Sequence, residues 1–284
     1  MPNEFDQQII EEFRANGGRV GGMFEGGRLL LLTTTGARSG KPHTTPLGYL
    51  PDEGGRVLVI ASAGGSPKHP AWYHNLVANP RATVETGPFA YQAAATVLSG
   101  DERDRVFARA AEADPGWAEY EERSGRVLPV VALAAADPGP PEYPGGMGDT
   151  LKAIHEVFRR ELAIVRAEVA ASGPGITAQL RVNCLAFCQG LGHHHTMEGQ
   201  GMFPHLEREH PELAEPLNRL YAEHETVERL LTELQATIKD GDPASLLGEI
   251  DRLIAELEAH LDYEEEQLVP VLNALPGRRA PGPR

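Results

Sequence analysis

A proline- and glycine-rich stretch near the middle of the chain constrains the fold more than any other feature of the sequence. Residues 137–148 read DPGPPEYPGGMG, and eight of these twelve residues are proline or glycine. Such a segment forms neither helix nor strand and runs as an extended spacer of about 3.1 Å per residue. The sequence therefore predicts two domains, residues 1–136 and 149–275, which are joined by a linker over 137–148 and followed by a disordered tail over 276–284.

Short β-rich runs separated by turn signals fill the first domain. Runs of β-branched and apolar residues predict six strands, over Arg28–Gly36, Thr44–Leu50, Arg56–Ser62, Arg81–Thr86, Tyr91–Leu98 and Arg126–Leu133. Apolar residues at three- and four-residue spacing predict helices over Asn3–Ala15, Pro70–Ala78 and Asp101–Ala113. This combination predicts a small α+β domain, a β-barrel with helices on its outside.

The second domain carries only helical patterns. Apolar spacing predicts four long helices, over Asp149–Ala171, Ile176–Leu206, Pro211–Ile238 and Pro243–Asn273. The breaks ASGPG and KDGDP separate them, and proline opens the third helix. Because short connections place consecutive helices antiparallel, the sequence predicts an all-α up-down-up-down four-helix bundle.

Net charge and composition argue against several classes of function. The formal net charge is −15 and the isoelectric point is about 5.2, so we expect no binding to the phosphate backbone of nucleic acids. The longest apolar runs, Leu29–Leu32 and Val130–Ala136, are far shorter than the roughly 18 residues of a membrane-spanning helix. Early charged residues argue against a secretory signal, and only two cysteines suit a reducing compartment. The sequence therefore predicts a cytoplasmic protein without a membrane span.

Each predicted helix of the second domain has a histidine on its apolar stripe. Two of these histidines have a glutamate four residues later, on the same helix face. The six residues are His155, His194, Glu198, His224, His260 and Glu264. Burying them without partners would cost about 1–3 kcal/mol each, more than a domain with a stability of about 5–15 kcal/mol can offset. Imidazole and carboxylate ligands suit iron, and two carboxylates that can bridge suit a pair of irons.

Two known designs compete for such a diiron site. A ferritin-like site needs the Glu-x-x-His pattern twice, and this chain offers it once, at Glu207–His210. The segments His193–Leu206 (HHHTMEGQGMFPHL) and His260–Leu272 (HLDYEEEQLVPVL) instead resemble the second- and fourth-helix motifs of the hemerythrin, or HHE cation-binding, family. This resemblance covers about residues 149–275. It implies a non-haem diiron site held by the six residues above, and chemistry with oxygen, peroxide or nitric oxide.

One position departs from the larger hemerythrins, in which a further histidine precedes the third-helix ligand by four residues. Leu220 stands there in this chain, so the resemblance implies one imidazole fewer and an open coordination position. The two neighbours of His194, His193 and His195, are predicted to point away from the metal, either as residues that support the ligands or as surface residues. Surface or small core positions are predicted for the other four candidate residues, His205, His210, Cys184 and Cys188.

The first domain lacks a nucleotide-binding fingerprint. GARSGKP (Gly36–Pro42) has three residues between its glycines, where a phosphate loop has four, and proline follows its lysine. What remains is a basic turn after a predicted strand. Its backbone amides with Arg38, Ser39 and Lys41 can cradle an anion. For this segment taken alone, a solvated hairpin with two basic residues is the alternative.

Long motifs in the first domain resemble the deazaflavin-dependent nitroreductase family. They are Thr33–Leu50, Ala61–Gly87 and the closing RVLPVVAL run, and the match covers nearly all of residues 15–136. That family has a split β-barrel, binds the deazaflavin coenzyme F-420, and passes hydride from its reduced form to quinones or activated nitro compounds. The resemblance implies a coenzyme site formed by Arg38, Ser39, Lys41, His43, Thr44, Thr45, Pro46, Leu47, Ile60, Ala61, Ser62, Ala63, Ala71, Trp72 and Asn75.

Three positions depart from that family, which often has basic residues where this chain has Ala37, His43 and Ala63. Fewer cations would weaken the site for the anionic tail of the coenzyme, and Lys41 and Lys68 compensate in part. FMN or FAD therefore stays an alternative to coenzyme F-420.

In the deazaflavin-dependent nitroreductase family, aromatic residues line the substrate side of the site. The corresponding positions in this chain lie near Tyr120, which is the candidate catalytic residue. It would contact the substrate or donate a proton, with structural packing as the alternative. Together the resemblances imply an oxidoreductase whose barrel uses a reduced deazaflavin and whose bundle handles oxygen, peroxide or nitric oxide. The alternative is a protein that binds or senses oxygen, nitric oxide or iron without coupled turnover. We expect a small oxidised substrate, and a homodimer is an arrangement that split barrels adopt.

Overall fold

The structure is a computed structural model of the chain, and it describes residues 4–136, 146–172, 175–240 and 243–275. Most of the predicted linker, 137–145, and all of the predicted tail, 276–284, lie outside the described residues. The described chain falls into two compact units. Thr177–Ala186 group with residues 4–136 in the first unit, and the other described residues form the second.

Seven antiparallel strands form one sheet in the first unit. They are β1 Leu29–Thr35, β2 Pro42–Gly48, β3 Leu50–Pro51, β4 Val57–Ile60, β5 Arg81–Thr86, β6 Phe89–Val97 and β7 Val130–Ala135. Their order is β2-β1-β5-β6-β7-β4-β3, so β2 and β3 lie at opposite edges. Only Tyr49 separates these two strands in the chain, so the edges must meet there. The sheet therefore curls round on itself, which confirms the predicted barrel.

The apolar run of β1 shows how the barrel core forms. Successive side chains of a strand point to opposite faces. Leu30 and Leu32 pack inside the barrel, whereas Leu29 and Leu31 pack outside against Phe13 of the first helix. The run is continuous because this strand is buried on both faces.

Four helices accompany the sheet: α1 Glu4–Ala15, α2 Ala71–Ala78, α3 Gly100–Ala113 and α4 Gly116–Ser124. The sequence analysis predicted the first three and missed α4. Its end signal is Gly125, which has a left-handed φ of 64° and donates its N–H to the carbonyls of Glu121 and Glu122. Glycine adopts this conformation without strain and is the usual residue just past a helix end.

The second unit contains α5 Met147–Ala171, α7 Phe203–Glu209, α8 Ala214–Asp240 and α9 Pro243–Ala274, together with the later part of α6 Ala178–Met197. Helix α5 begins two residues earlier than predicted, inside the expected linker. Asn273 of α9 stabilises this start, because its side-chain Oδ1 accepts the N–H groups of Gly148 at 2.9 Å and Asp149 at 3.3 Å. A cap supplied by a distant part of the chain leaves no local signal. No described helix is long and apolar enough to cross a membrane.

The second helix was predicted to be continuous over Ile176–Leu206, and in the structure it is interrupted. A π-helical turn, Glu198–Met202, separates α6 from α7. Pro204 lies in the first turn of α7, has no N–H to donate, and would clash with the carbonyl four residues earlier in a regular α-helix. The wider turn relieves that clash, and such turns are frequent at functional sites.

Contacting side chains show the direction of each helix. Along α5 and α9 the contacting pairs are His155–Glu265, Arg159–Asp262 and Arg166–Asp251. Pairs between α8 and α9 are Arg219–Tyr263, Glu223–His260 and Glu233–Arg252, and between α5 and α6 they are His155–His194 and Phe158–Phe187. In every case residue numbers rise on one helix as they fall on the other. The helices are therefore antiparallel neighbours, as the sequence predicted for a four-helix bundle.

Candidate metal centre and coenzyme site

The structure brings the six predicted metal ligands together inside the bundle. His155 comes from α5, His194 from the end of α6 and Glu198 from the π turn, while α8 and α9 supply the rest. The imidazoles approach the two carboxylates at four places: His194 Nε2–Glu198 Oε1 at 3.1 Å, His155 Nε2–Glu264 Oε2 at 3.4 Å, His224 Nε2–Glu198 Oε2 at 3.5 Å and His260 Nε2–Glu264 Oε2 at 3.7 Å. Each carboxylate thus lies between imidazoles from two helices.

The ligand atoms of these six residues are buried and unsatisfied. None of the four Nε2 atoms and four carboxylate oxygens has a hydrogen-bond partner in the described chain. An unsatisfied buried polar atom costs about 1–3 kcal/mol, so a cluster of eight is not tolerated in a stable core. Cations among these atoms would coordinate them all. The residues present therefore fit the iron pair that the hemerythrin resemblance implies.

Further carboxylates hold two of the imidazoles from behind. Glu265 Oε1 lies 2.9 Å from Nδ1 of His155, and Glu223 Oε2 lies 3.0 Å from Nδ1 of His260. A carboxylate at Nδ1 places the proton on that atom and leaves Nε2 free to bind metal. The sequence analysis missed both glutamates. Their only signal is that each directly adjoins a predicted ligand, Glu264 or His224.

Two arginines in turn hold these outer carboxylates. Arg159 Nη1 donates to Glu265 at 2.8 Å, and Arg219 Nε donates to Glu223 at 2.7 Å. The Arg219 guanidinium also lies 3.6 Å from the centre of the Tyr263 ring. Burial raises the pKa of Glu265, but the contacts with His155 and Arg159 outweigh burial and lower that pKa overall. Glu265 thus stays ionised beside His155.

The expectation that His195 points away from the metal is wrong. His195 is only 8% exposed, and its ring stacks on the ring of His224 with the two centres 4.2 Å apart. Residues adjacent in a helix are about 100° apart, and the inward-facing arc of a buried helix is at least that wide. The arc of α6 therefore includes both His194 and His195. His193, the other neighbour, is exposed as predicted.

Burial and mutual repulsion set the charge of the cluster. Burial, followed by the Glu264 carboxylate, raises the pKa of Glu198 well above its ordinary value. Burial and neighbouring imidazoles lower the pKa of His194 and lower that of His224 to about 3. Burial also lowers the pKa of His155, but Glu264 and Glu265 outweigh it and raise that pKa overall. Neutral imidazoles are the form that binds metal.

We expect the metal-free bundle to lose stability as the pH falls from 6.5 towards 4.5. Burial lowers the folded-state pKa of His194, His195 and His224 below the unfolded value, so unfolding takes up three protons in this window. Glu198, with a raised folded-state pKa, offsets one of them, and His155 is protonated in both states below pH 6.5. Net uptake of about two protons predicts a falling melting temperature, measured by calorimetry over this pH range. A melting temperature that rises on acidification contradicts the prediction.

The remaining histidines and cysteines do not join the cluster. His205 Nδ1 lies 3.0 Å from Arg208 Nη2, and His210 Nδ1 lies 3.0 Å from Glu212 at the surface. Cys184 and Cys188 are both buried. Burial raises the pKa of the Cys188 thiol to about 12, so this thiol is a poor nucleophile at neutral pH.

In the first unit, the predicted basic turn joins β1 to β2. The Gly36 N–H donates to Lys41 O, and the Gly40 N–H donates to Gly36 O, both at 2.8 Å. A Cβ at Gly36 would lie 2.3 Å from Ser39 Oγ, so a larger residue there would displace the Ser39 side chain. The side chains of Arg38 and Lys41 are exposed and form no hydrogen bond or ion pair with described residues. Two free cations on a well-defined turn can receive an anion.

Asn75 fixes this turn to helix α2. Its Oδ1 accepts the Ala37 N–H at 2.9 Å, and its Nδ2 donates to Thr34 Oγ1 at 3.0 Å. The sequence analysis predicted Asn75 as a polar contact of the coenzyme. This buried side chain positions the turn through Ala37 and Thr34, and its contact with the coenzyme stays a prediction.

The other predicted coenzyme residues fall into two groups. Ile60, Ala61 and Trp72 are buried in the apolar cores, where their side chains pack against other core residues. The other residues are partly buried or exposed, and they are Ser39, His43, Thr44, Thr45, Pro46, Leu47, Ser62, Ala63 and Ala71. Ser39 Oγ and His43 Nε2 are 3.1 Å apart, and Ala63 has a positive φ of 49°.

The segment that contains Ala63 is held by an arginine that the sequence analysis did not identify. Arg126 Nη2 donates to Ala61 O at 2.9 Å and to Ser62 O at 3.1 Å, and its Nε donates to Ser66 O at 3.1 Å. One guanidinium with five N–H donors can satisfy several carbonyls of an irregular loop. Arg126 lies more than 55 residues away in the chain, so the sequence alone gives no sign of this anchor.

Tyr120 on α4 is partly buried against the apolar core formed by β4, β7 and α3. Its ring makes an edge contact with Trp117, with centres 6.1 Å apart, and the Arg123 guanidinium lies 5.0 Å from its centre. These are packing contacts of the ring. The described contacts thus match the packing alternative, and a catalytic role for Tyr120 stays a prediction.

Comparison with known proteins confirms both resemblances. Residues 7–135 match the family described as F420H(2)-dependent quinone reductase, and residues 147–272 match the hemerythrin HHE cation binding domain. An F420H(2)-dependent quinone reductase from Mycobacterium tuberculosis is 38% identical over 125 residues, which are 43% of this chain and 83% of that protein. A solved structure of an F420-H2 dependent reductase is 41% identical to this chain, with a TM-score of 0.35. The match covers 38% of this chain and 94% of the chain in that structure.

A second solved structure, described as a domain-swapped dimer, is 37% identical with a TM-score of 0.37 and covers 45% of this chain and 93% of its own. The chain therefore belongs to the F420H(2)-dependent quinone reductase family through residues 7–135, and residues 147–272 match the hemerythrin HHE cation binding domain.

Proposed function

We propose that this protein is an oxidoreductase with two redox sites on one chain. Its barrel passes a hydride from reduced coenzyme F-420 to a quinone-type acceptor, and its bundle holds two iron ions and handles oxygen, peroxide or nitric oxide. The observation that carries the second site is the set of eight buried, unpartnered ligand atoms on the six predicted residues. Family membership and the free cations of the basic turn support the first.

In the barrel, the chain's own residues bind and orient the coenzyme. Bound F-420 in its reduced form supplies the hydride. Arg38 and Lys41 hold its anionic tail, because neither has a partner within the described chain, and Ser39 and His43 add hydrogen-bonding groups beside them. Asn75 keeps the turn in place through the Ala37 N–H. A titration with F-420, FMN and FAD in parallel distinguishes the coenzymes.

In the bundle, His155, His194, Glu198, His224, His260 and Glu264 hold the irons. Bound iron supplies redox chemistry and binding of oxygen, peroxide or nitric oxide. Glu265 and Glu223 keep the Nδ1 protons of His155 and His260 in place, so that both Nε2 lone pairs face inward. The burial of Glu198 and Glu264 excludes water from the centre.

We assign residues 1–136 and 149–275 to these two functions, with the intervening segment as a linker. Two sites on one chain have a high effective concentration for each other when the linker allows it, which favours a single redox sequence. Two free cysteines suit the cytoplasm. Pairing of two chains through their barrels is the assembly that we expect.

The variant Glu198→Ala tests whether the two activities are coupled. We expect it to lose iron, to keep its rate of F-420-dependent quinone reduction, and to lose at least about tenfold in oxygen-dependent oxidation of reduced F-420. Anaerobic stopped-flow absorbance followed by admission of oxygen measures both rates. Glu207→Ala, an exposed glutamate nine residues later, is the control. Oxygen-linked rates that are unchanged in Glu198→Ala show two independent modules, and no turnover with any acceptor in the parent shows a binding or sensing protein.

A further inference from the structure

His195 is the most informative residue that the sequence analysis did not assign to the metal centre. Its ring stacks on His224 at an interplanar angle of 12° and meets His260 edge-on, with ring centres 5.2 Å apart. One ring nitrogen from each of these three histidines lies within 4.8 Å of the other two. The Nε2 atom of His195 is buried and has no hydrogen-bond partner in the described chain.

Helix α8 contributes a single imidazole to this side of the centre. It supplies His224 alone, because Leu220, one turn earlier, is fully buried in an apolar cluster with Phe203 and Leu217. Without His195, this side of the centre has only the imidazoles of His224 and His260. His195 therefore lies beside His224 and His260 but comes from α6. A histidine at position 220 would reach the same place from α8.

Packing alone does not account for a histidine at this position. A buried side chain stacked on an aromatic ring is ordinarily apolar, because an unsatisfied ring nitrogen is costly. The polar atom of His195 instead belongs to the same cluster as eight other unpartnered ligand atoms. A metal ligand is the role that uses this nitrogen.

We infer that His195 is an iron ligand, which supplies from α6 the imidazole that Leu220 does not supply from α8. This inference rests on the proposed iron pair. One metal position then has His195, His224 and His260, and the other has His155 and His194. Glu198 is grouped with ligands of both sides. The position with two imidazoles is the one left with room for an exogenous ligand.

The test compares iron binding by the parent, His195→Phe and His193→Phe. His193 is the exposed neighbour on the same helix and serves as the matched control. We expect His195→Phe to lose roughly 10- to 100-fold in iron affinity, measured as iron retained per chain against a competing chelator. Its charge-transfer absorption should also shift, whereas His193→Phe should behave like the parent. Circular dichroism of the metal-free proteins verifies that both variants fold.

Free imidazole distinguishes a lost ligand from a lost packing contact. In His195→Gly, added imidazole should restore iron retention and the parent absorption bands, which a merely structural role would not allow. If His195→Phe keeps the iron content, chelator resistance and absorption of the parent, the inference is wrong while the iron pair stands. If the parent binds no iron at all, the proposed function of the bundle fails as well.

Discussion

Removal of iron is expected to lower the melting temperature of the helical unit by on the order of 10 °C. The metal-free core leaves eight ligand atoms of the six predicted residues buried without partners, and a bound cation satisfies them. At a free iron concentration about 1,000 times the dissociation constant, binding to the folded state contributes roughly 4 kcal/mol. For a domain of this size, that free energy corresponds to about the stated shift. Calorimetry of iron-loaded and chelator-treated protein measures it.

The variant Glu264→Ala is the matched control for this experiment. It removes one carboxylate that lies between His155 and His260, so it should bind little iron. Its melting temperature should respond to neither iron nor chelator. Equal melting temperatures for iron-loaded and metal-free parent protein would contradict the assignment of a stabilising metal centre to this core.

The double variant Arg38→Ala/Lys41→Ala is expected to raise the dissociation constant for coenzyme F-420 by on the order of 10- to 100-fold. Both side chains are exposed on the β1–β2 turn and have no partner among the described residues, so they can bind the anionic tail of the proposed coenzyme. A hydrogen bond to a charged group contributes about 1.5–3 kcal/mol, and screening of exposed charges reduces that figure. Fluorescence titration with the coenzyme measures the change.

The control for this variant removes the same charge elsewhere. Arg19 and Arg105 are exposed arginines outside the turn, and Arg19→Ala/Arg105→Ala should bind the coenzyme like the parent. The effect of the turn variant should shrink at high salt, because exposed charges are then screened. Equal affinities for the two double variants would show that the turn does not hold the coenzyme.

Several features could be predicted from the sequence because they depend on local periodicity. The His194–Glu198 and His260–Glu264 pairs lie four residues apart, and this spacing places both members on one helix face whatever the helix packs against. The strands of the barrel followed in the same way from runs of β-branched residues and turn signals. The Pro/Gly stretch at 137–148 separated two patterns of different period before any contact was known.

Other features depend on which elements pack together, and no local pattern specifies them. Glu223 and Glu265 support imidazoles on neighbouring helices, and Asn75 positions a turn 38 residues earlier in the chain. His195 shows the limit most clearly, since its neighbours in sequence gave no reason to separate it from His193. The width of the inward-facing arc of α6 depends on how closely α8 and α9 approach. Sequence periodicity thus determined the helix face and the kind of side chain on it, and only the packing of the helices decided which side chains reach the buried cluster.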